Sequence, residues 1–231
     1  MADRVALVVI AKAPLPGYAK TRLSPPCTPE EAAELAAAAL LDTLAAVAAT
    51  PARRRVLALD GPAEGWVPRG FEVVPQHGAG LGERLAHVLA AAGGPALVVG
   101  MDTPQLTPAL LGTAARRLAE VDAVLGPADD GGYWTIGLSR PDARVFEGVP
   151  MSTARTGLSQ LRRLAALGLS TTLLPSLRDV DTMADAAAVA PACPESRFAA
   201  AYRRISAAHA ADHEQPVAEA SGGPRLELPY R

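Results

Sequence analysis

The stretch VALVVIA, Val5 to Ala11, runs directly into KAPLPGYAKTRLS, Lys12 to Ser24. A continuous, β-branched apolar run of this kind predicts a strand buried on both faces, as in a parallel sheet. The loop that follows carries three cations, Lys12, Lys20 and Arg22, together with Pro14, Pro16 and Gly17. Glycine permits bends closed to other residues, and prolines lower the entropy lost when a loop is held around a ligand. Thr28-Pro-Glu-Glu then opens a helix, with Thr28 as N-cap, Pro29 at the first helical position and two acids in the first turn. Its apolar residues extend that helix toward Pro51. Strand, charged loop and helix together make the first unit of an α/β domain.

The alternation continues along the chain. RRRVLALD from Arg53 and FEVVPQ from Phe71 predict two more strands, and Leu81 to Ala92 a helix. PALVVGMD from Pro95 predicts a fourth strand, followed by a helix capped at Thr107-Pro108 that ends before VDAVLGPA. GGYWTIGL from Gly131 is another strand. A helix from Ser152, the strand LSTTLLP, the segment DVDT and a final pair of helices complete the reading. The fold class is α/β: one domain over residues 1–211 with a mostly parallel sheet and helices on both faces. Residues 212–231 lose periodicity and read as a mobile C-terminal tail.

Composition narrows the function classes. With 231 residues, 49% apolar and 20% charged, the chain has the balance of one well-buried domain. A net charge of −2 argues against a general nucleic-acid binder, so any anion site is local. The two cysteines, Cys27 and Cys193, stand at neither disulfide-framework nor zinc spacing. No leader is recognised, and no run approaches the roughly 20 apolar residues of a membrane span. The expectation is therefore a cytoplasmic protein without a membrane span.

Open α/β sheets bind ligands at the carboxyl ends of their strands, and four stretches fall there. The first is the cationic loop, whose arginine can grip phosphate bidentately and whose lysines act as point charges. It is not a Walker A loop, and a solvated basic loop is the competing reading. The second is Gly100-Met-Asp-Thr-Pro104: Asp102 emerges from a buried strand and suits Mg²⁺, which takes one or two carboxylates plus substrate phosphates, with an aspartate that merely helps to start a turn as the competing reading. The third is Arg178-Asp-Val-Asp-Thr182, where Asp179 and Asp181 point to one side of an extended segment, while Asp181 or Thr182 caps the next helix. The fourth is Gly126-Pro-Ala-Asp-Asp-Gly-Gly-Tyr-Trp134, whose adjacent acids and glycines exceed what a plain hairpin needs. Of Tyr133 and Trp134, at least one is expected in the core. Helix starts at Gly80-Leu-Gly-Glu-Arg84 and Ser152-Thr153 add candidate anion contacts, with ordinary capping as the alternative. None of the four histidines pairs with a serine or cysteine in a recognised motif, and GxSxG is absent, so no covalent intermediate is expected.

KAPLPGYAKTRL, GLGERL, GMDTPQLTP, GPADDGGYWTIGL, MSTARTGL and DVDT, in that order, resemble a bacterial family of GT-A-like transferases in the nucleotide-diphospho-sugar transferase superfamily. Its members are usually labelled glycosyltransferases; the family is related to phospholactate guanylyltransferase and molybdenum-cofactor guanylyltransferase. The resemblance covers roughly residues 4 to 190. It implies one Rossmann-like sheet with one reversed strand. It implies Lys12, Pro16, Gly17, Lys20, Arg22, Gly82, Glu83 and Arg84 as nucleotide contacts, and Lys20, Arg22 and Asp102 as catalytic. Asp102 with Asp179 or Asp181 would hold Mg²⁺ or Mn²⁺, and Asp130, Gly131, Gly132, Tyr133, Ser152 and Thr153 would face the acceptor. Two positions depart from the family pattern: Ala79-Gly80 stands where Gly-Asp is frequent, and Met151 where Trp is frequent. The function expected first is nucleotidyl transfer from a nucleoside triphosphate to a phosphorylated small molecule. The alternative is glycosyl transfer from a sugar nucleotide, and a non-catalytic nucleotide-binding module ranks last. A homodimer is an open option.

Overall fold

The computed structural model describes residues 4–63 and 65–214. Strands β1 (Ala6–Lys12), β2 (Arg54–Asp60), β3 (Glu72–Pro75), β4 (Ala96–Gly100), β5 (Ala123–Pro127), β6 (Tyr133–Leu138) and β7 (Thr171–Leu173) form one sheet of order β3-β2-β1-β4-β6-β5-β7. All neighbours pair in parallel except β6, which runs antiparallel to both β4 and β5. This is the single reversed strand that the resemblance implied.

The apolar run of β1 is explained by what covers each face. Leu7, Val9 and Ala11 point into one core layer, with residues of helices α1 (Pro29–Ala48) and α3 (Pro108–Leu118). Ala6 and Val8 point into the opposite layer, with α2 (Leu81–Ala92) and α4 (Thr156–Ala166). A strand sandwiched in this way has no solvent face and so shows no polar alternation. A third apolar cluster joins α1 to α5 (Met183–Val189) and α6 (Arg197–Glu214) around the fully buried Phe198. Burying a side chain of that size stabilises the fold by about 1.5–3 kcal/mol.

Local signals place the helices. The Thr28 hydroxyl accepts the Glu31 N–H at 3.2 Å, and the Glu31 carboxylate accepts the Thr28 N–H at 2.8 Å, a reciprocal capping box. Thr107 caps α3 by accepting the Leu110 N–H. The helix expected from Ser152 begins instead at Thr156. Ser152 has φ 58, outside helical space, and the Thr156 hydroxyl is tied to the Pro150 carbonyl at 2.8 Å, so 150–155 form a turn. Helix α6 continues to Glu214, and the rest of the expected tail, residues 215–231, lies outside the described residues.

Candidate active site

The chain moves outward from β1 to β2 and β3 on one side, and β4 lies on the other, so the segments leaving β1 and β4 diverge at their carboxyl ends. Such a reversal of strand order opens a crevice. Because β6 is reversed, its first residues arrive at the same edge, and so does the segment that follows β7. The result is a cleft of about 780 Å³ whose walls come from all four sequence stretches.

Opposite charges meet at the centre of the cleft. The Lys20 ammonium lies 2.7 Å from Asp181 Oδ1 and 2.9 Å from Asp102 Oδ1, with only 9% of its side chain exposed. Burial opposes its charge, but the two carboxylates outweigh burial and hold its pKa above the ordinary lysine value. Lys20 itself sits in the left-handed region, φ 53, which side chains other than glycine seldom enter. That backbone starts the short 3₁₀ turn Thr21–Leu23, anchored by the buried Leu23. The exposed Arg22 adds a contact of 3.1 Å to Asp181 Oδ2. Asp179 is different: burial, then repulsion from Asp102 and Asp130, push its carboxyl up to about 7.

A second cluster stands beside β2; Lys12 and Arg84 in it were expected from the sequence, whereas Tyr18 and Asp60 were not. Asp60, the last residue of that strand, accepts a bond from Arg84 Nη1 at 2.9 Å, and the Tyr18 phenol neighbours the same carboxylate. The Tyr18 phenol, followed by Arg84, holds Asp60 below the usual carboxylate range, and Asp60 in turn pushes the phenol up. Lys12 lies 5.3 Å from the centroid of the Tyr18 ring. Gln76 donates to the carbonyls of Ala11 and Ala58, bracing the cleft floor. The signal for Asp60 was the one used for Asp102, a carboxylate closing a buried strand.

Across the cleft, the β5–β6 turn docks on the start of α4. Gly131 has φ 87, and a Cβ there would stand 2.1 Å from the Ala154 carbonyl oxygen. The Gly157 N–H donates to the Gly131 carbonyl at 2.8 Å. Asp130 accepts the Gly132 N–H at 2.7 Å. Trp134 is buried and donates to the Pro175 carbonyl, whereas Tyr133 reaches the cleft wall, its phenol pushed well up by burial. Ser152, the second non-glycine residue at positive φ, and Thr153 also line the cleft.

Lys12, Lys20, Arg22, Arg84, Asp102, Asp130, Gly132, Tyr133, Ser152, Thr153, Asp179 and Asp181 are thus brought together. Pro16, Gly17, Gly82, Glu83 and Gly131 do not line the cleft. Pro16 and Gly17 sit on the exposed outside of the loop. Gly82 is where α2 packs on Met151 and Phe146, and Glu83 turns back to accept the Ala79 N–H at 2.8 Å. Gly131 lies behind Ala154.

The all-oxygen donors Asp102, Asp179 and Asp181 suit the divalent cation that the resemblance implies. Asp179 Oδ1 is buried without a hydrogen-bond donor, leaving acceptor capacity for a cation, whereas Asp102 Oδ1 already faces the Lys20 ammonium at 2.9 Å. Among the described residues no group of three or more His, Cys, Asp or Glu side chains stands close enough to hold a metal ion by itself. A cation here would therefore take part of its coordination from substrate phosphates and water.

A structure described as a nucleotide-diphospho-sugar transferase from Desulfovibrio desulfuricans G20 superposes with a TM-score of 0.82, at 27% identity over 90% of this chain and 96% of that one. CMP:2-keto-3-deoxy-manno-octonic acid synthetase complexed with CTP shares the fold at a TM-score of 0.52, with 14% identity over 90% of this chain and 99% of that one. So does 2-C-methyl-D-erythritol 4-phosphate cytidylyltransferase from Thermus thermophilus, at a TM-score of 0.51, with 15% identity over 88% and 99%. No curated protein matches the sequence. Residues 34–153, which carry Asp102 and the β5–β6 turn, match the family described as "Uncharacterized protein conserved in bacteria (DUF2064)". The chain belongs to that family and has the nucleotide-diphospho-sugar transferase fold.

Proposed function

We propose that this protein is a nucleotide-using transferase, and that it transfers a nucleotidyl group from a nucleoside triphosphate to a phosphorylated small molecule, releasing pyrophosphate. The transferase class is supported by the 27%-identical structure and by the fold shared with two enzymes that make CMP- or cytidylyl-linked products. The observation that carries the reading is the cleft centre, where a nearly buried ammonium is clasped by two carboxylates at the strand-order reversal.

The cations would bind the phosphates from the β1 side. Lys20 is the most desolvated, so its charge acts in the least screened surroundings. Arg22, largely exposed, reaches phosphates entering from solvent. Lys12 and the Tyr18–Asp60–Arg84 cluster would flank the nucleoside end. On the far wall, Gly132, Ser152 and Thr153 would orient the acceptor so that its phosphate oxygen attacks the α-phosphorus in line. One P–O bond forms there as the bond to the β-phosphate oxygen breaks, and the electron pair leaves with pyrophosphate. An acceptor already ionised as a phosphate needs no general base. Mg²⁺ or Mn²⁺ held by Asp102 with Asp179 or Asp181 would neutralise phosphate charge.

Glycosyl transfer from a sugar nucleotide is the second reading, favoured by the likeness to the Desulfovibrio nucleotide-diphospho-sugar transferase structure. Incubation with each nucleoside triphosphate, Mg²⁺ or Mn²⁺ and a panel of phosphorylated acceptors, scored for pyrophosphate, separates the two. Pyrophosphate released only when acceptor is present supports nucleotidyl transfer. Turnover of sugar nucleotides alone overturns it.

A further inference from the structure

We propose that Lys20 holds the divalent-cation position in the nucleotide-free protein, so that metal is admitted only together with phosphates that take Lys20 over. The second half of this statement rests on the nucleotide reading above; the first half does not.

Lys20 and a metal would compete for the same oxygens, since the ammonium already contacts Asp102 Oδ1 at 2.9 Å and Asp181 Oδ1 at 2.7 Å. The position is enforced rather than adopted by chance. The left-handed backbone of Lys20 precedes a turn pinned by buried Leu23, and its side chain is enclosed, with 9% exposed. Asp181 is gripped from its other oxygen by Arg22 at 3.1 Å. A divalent ion on these oxygens would stand within a few ångströms of the ammonium, and like charges in a partly dehydrated site repel strongly. Metal alone therefore has to displace the lysine from both of its carboxylates. Phosphate oxygens supply a destination: Lys20 moves to phosphate while the carboxylates pass to the metal, and every charge stays paired.

The test measures Mn²⁺ binding to the full chain by electron paramagnetic resonance, without nucleotide, for wild type, Lys20→Gln, Lys20→Arg and the double variant Lys20→Gln/Asp102→Asn. Lys20→Gln is expected to bind Mn²⁺ about tenfold more tightly than wild type, an ordinary size for coupled sites. Lys20→Arg should stay at the wild-type level, and the double variant should lose the gain. Equal affinity in Lys20→Gln and wild type, or an equal gain in Lys20→Arg, overturns the proposal. A measurement on wild type alone guards against a variant that does not fold. The Lys20 ¹³Cε resonance should be unmoved by Mg²⁺ and shift when Mg²⁺ and a nucleoside triphosphate are added together. A shift with Mg²⁺ alone overturns the proposal. The Mn²⁺ arms contain no nucleotide, so a gain in Lys20→Gln in a protein that binds no triphosphate leaves the lysine's role standing and removes the nucleotide reading. Triphosphate binding without the gain does the reverse.

Discussion

The backbone N–H of Val180 donates to the carbonyl oxygen of Asp102 at 2.9 Å. A second bond, from Gln105 Nε2 to the Arg178 carbonyl at 2.7 Å, closes the same junction. The segments leaving β4 and β7 are therefore joined through main chain, and the carboxylates of Asp102, Asp179 and Asp181 are presented together regardless of what those side chains are. Chemistry and scaffold can be separated here by substitution.

Asp102→Asn should leave the Val180 bond, and hence the fold, intact while removing one charge from the cleft. Loss of an electrostatic contact of this kind typically lowers kcat by about 10²-fold or more. The change should also relieve Asp179, for which Asp102 is the main repulsive neighbour after burial. Steady-state pyrophosphate release checks the first expectation, and ¹³C-carboxyl NMR titration the second. An unchanged Asp179 pKa would mean that the two carboxylates are not coupled.

Asp179 should make the ligand-free protein less stable as pH rises. Its folded pKa of about 7 lies above the ordinary value of 3.8, so between those limits the folded state binds more protons than the unfolded one. Stability then falls with increasing pH, by at most about 1.4 kcal/mol per unit from this group, and levels off above pH 7. Urea unfolding from pH 4 to 8 should show this slope in wild type and its loss in Asp179→Asn. The same slope in both proteins would assign it to another group.

Much of this arrangement was legible before the structure. Helix α2 spans Leu81–Ala92, as read from the sequence, and Lys20, Asp102 and Asp181 were recognisable as charges following buried strands. The strand order was not legible from periodicity, because a buried strand reads the same in either direction; the reversal of β6 came only from the resemblance. The start of α4 was missed because Ser152 adopts φ 58, a conformation that its own residue type does not announce. Asp60 was overlooked although it closes RRVLALD, because its partners Tyr18 and Arg84 come from other parts of the chain.

Gly131→Ala should be costly out of proportion to one methyl group. The residue combines φ 87 with a Cβ position 2.1 Å from the Ala154 carbonyl oxygen, so neither backbone nor neighbour can yield cheaply. Positive-φ strain alone is worth about 1–3 kcal/mol, and the clash also pushes the 150–155 turn away from the β5–β6 turn. Denaturant midpoints should fall accordingly, and KM for the acceptor should rise because Ser152 and Thr153 ride on the displaced segment. A variant as stable as wild type would show that the turn can relax without the Gly131–Ala154 approach.

Thr182 and Asp181 divide two tasks that the sequence left open between them. Thr182 caps α5: its hydroxyl accepts the Asp185 N–H at 3.2 Å, and the Asp185 carboxylate accepts the Thr182 N–H at 2.9 Å. Asp181 is thereby left to Lys20 and Arg22. Thr182→Ala should cost about 1 kcal/mol of stability, the usual worth of an N-cap, with kcat little changed. Asp181→Asn should keep the cap and most of the stability but lower turnover, since it removes one of the two carboxylates holding the buried ammonium. Urea midpoints and steady-state rates measured on both variants test the division. Parallel losses of stability and rate in the two would instead mean that the cap and the ion pair act as one unit.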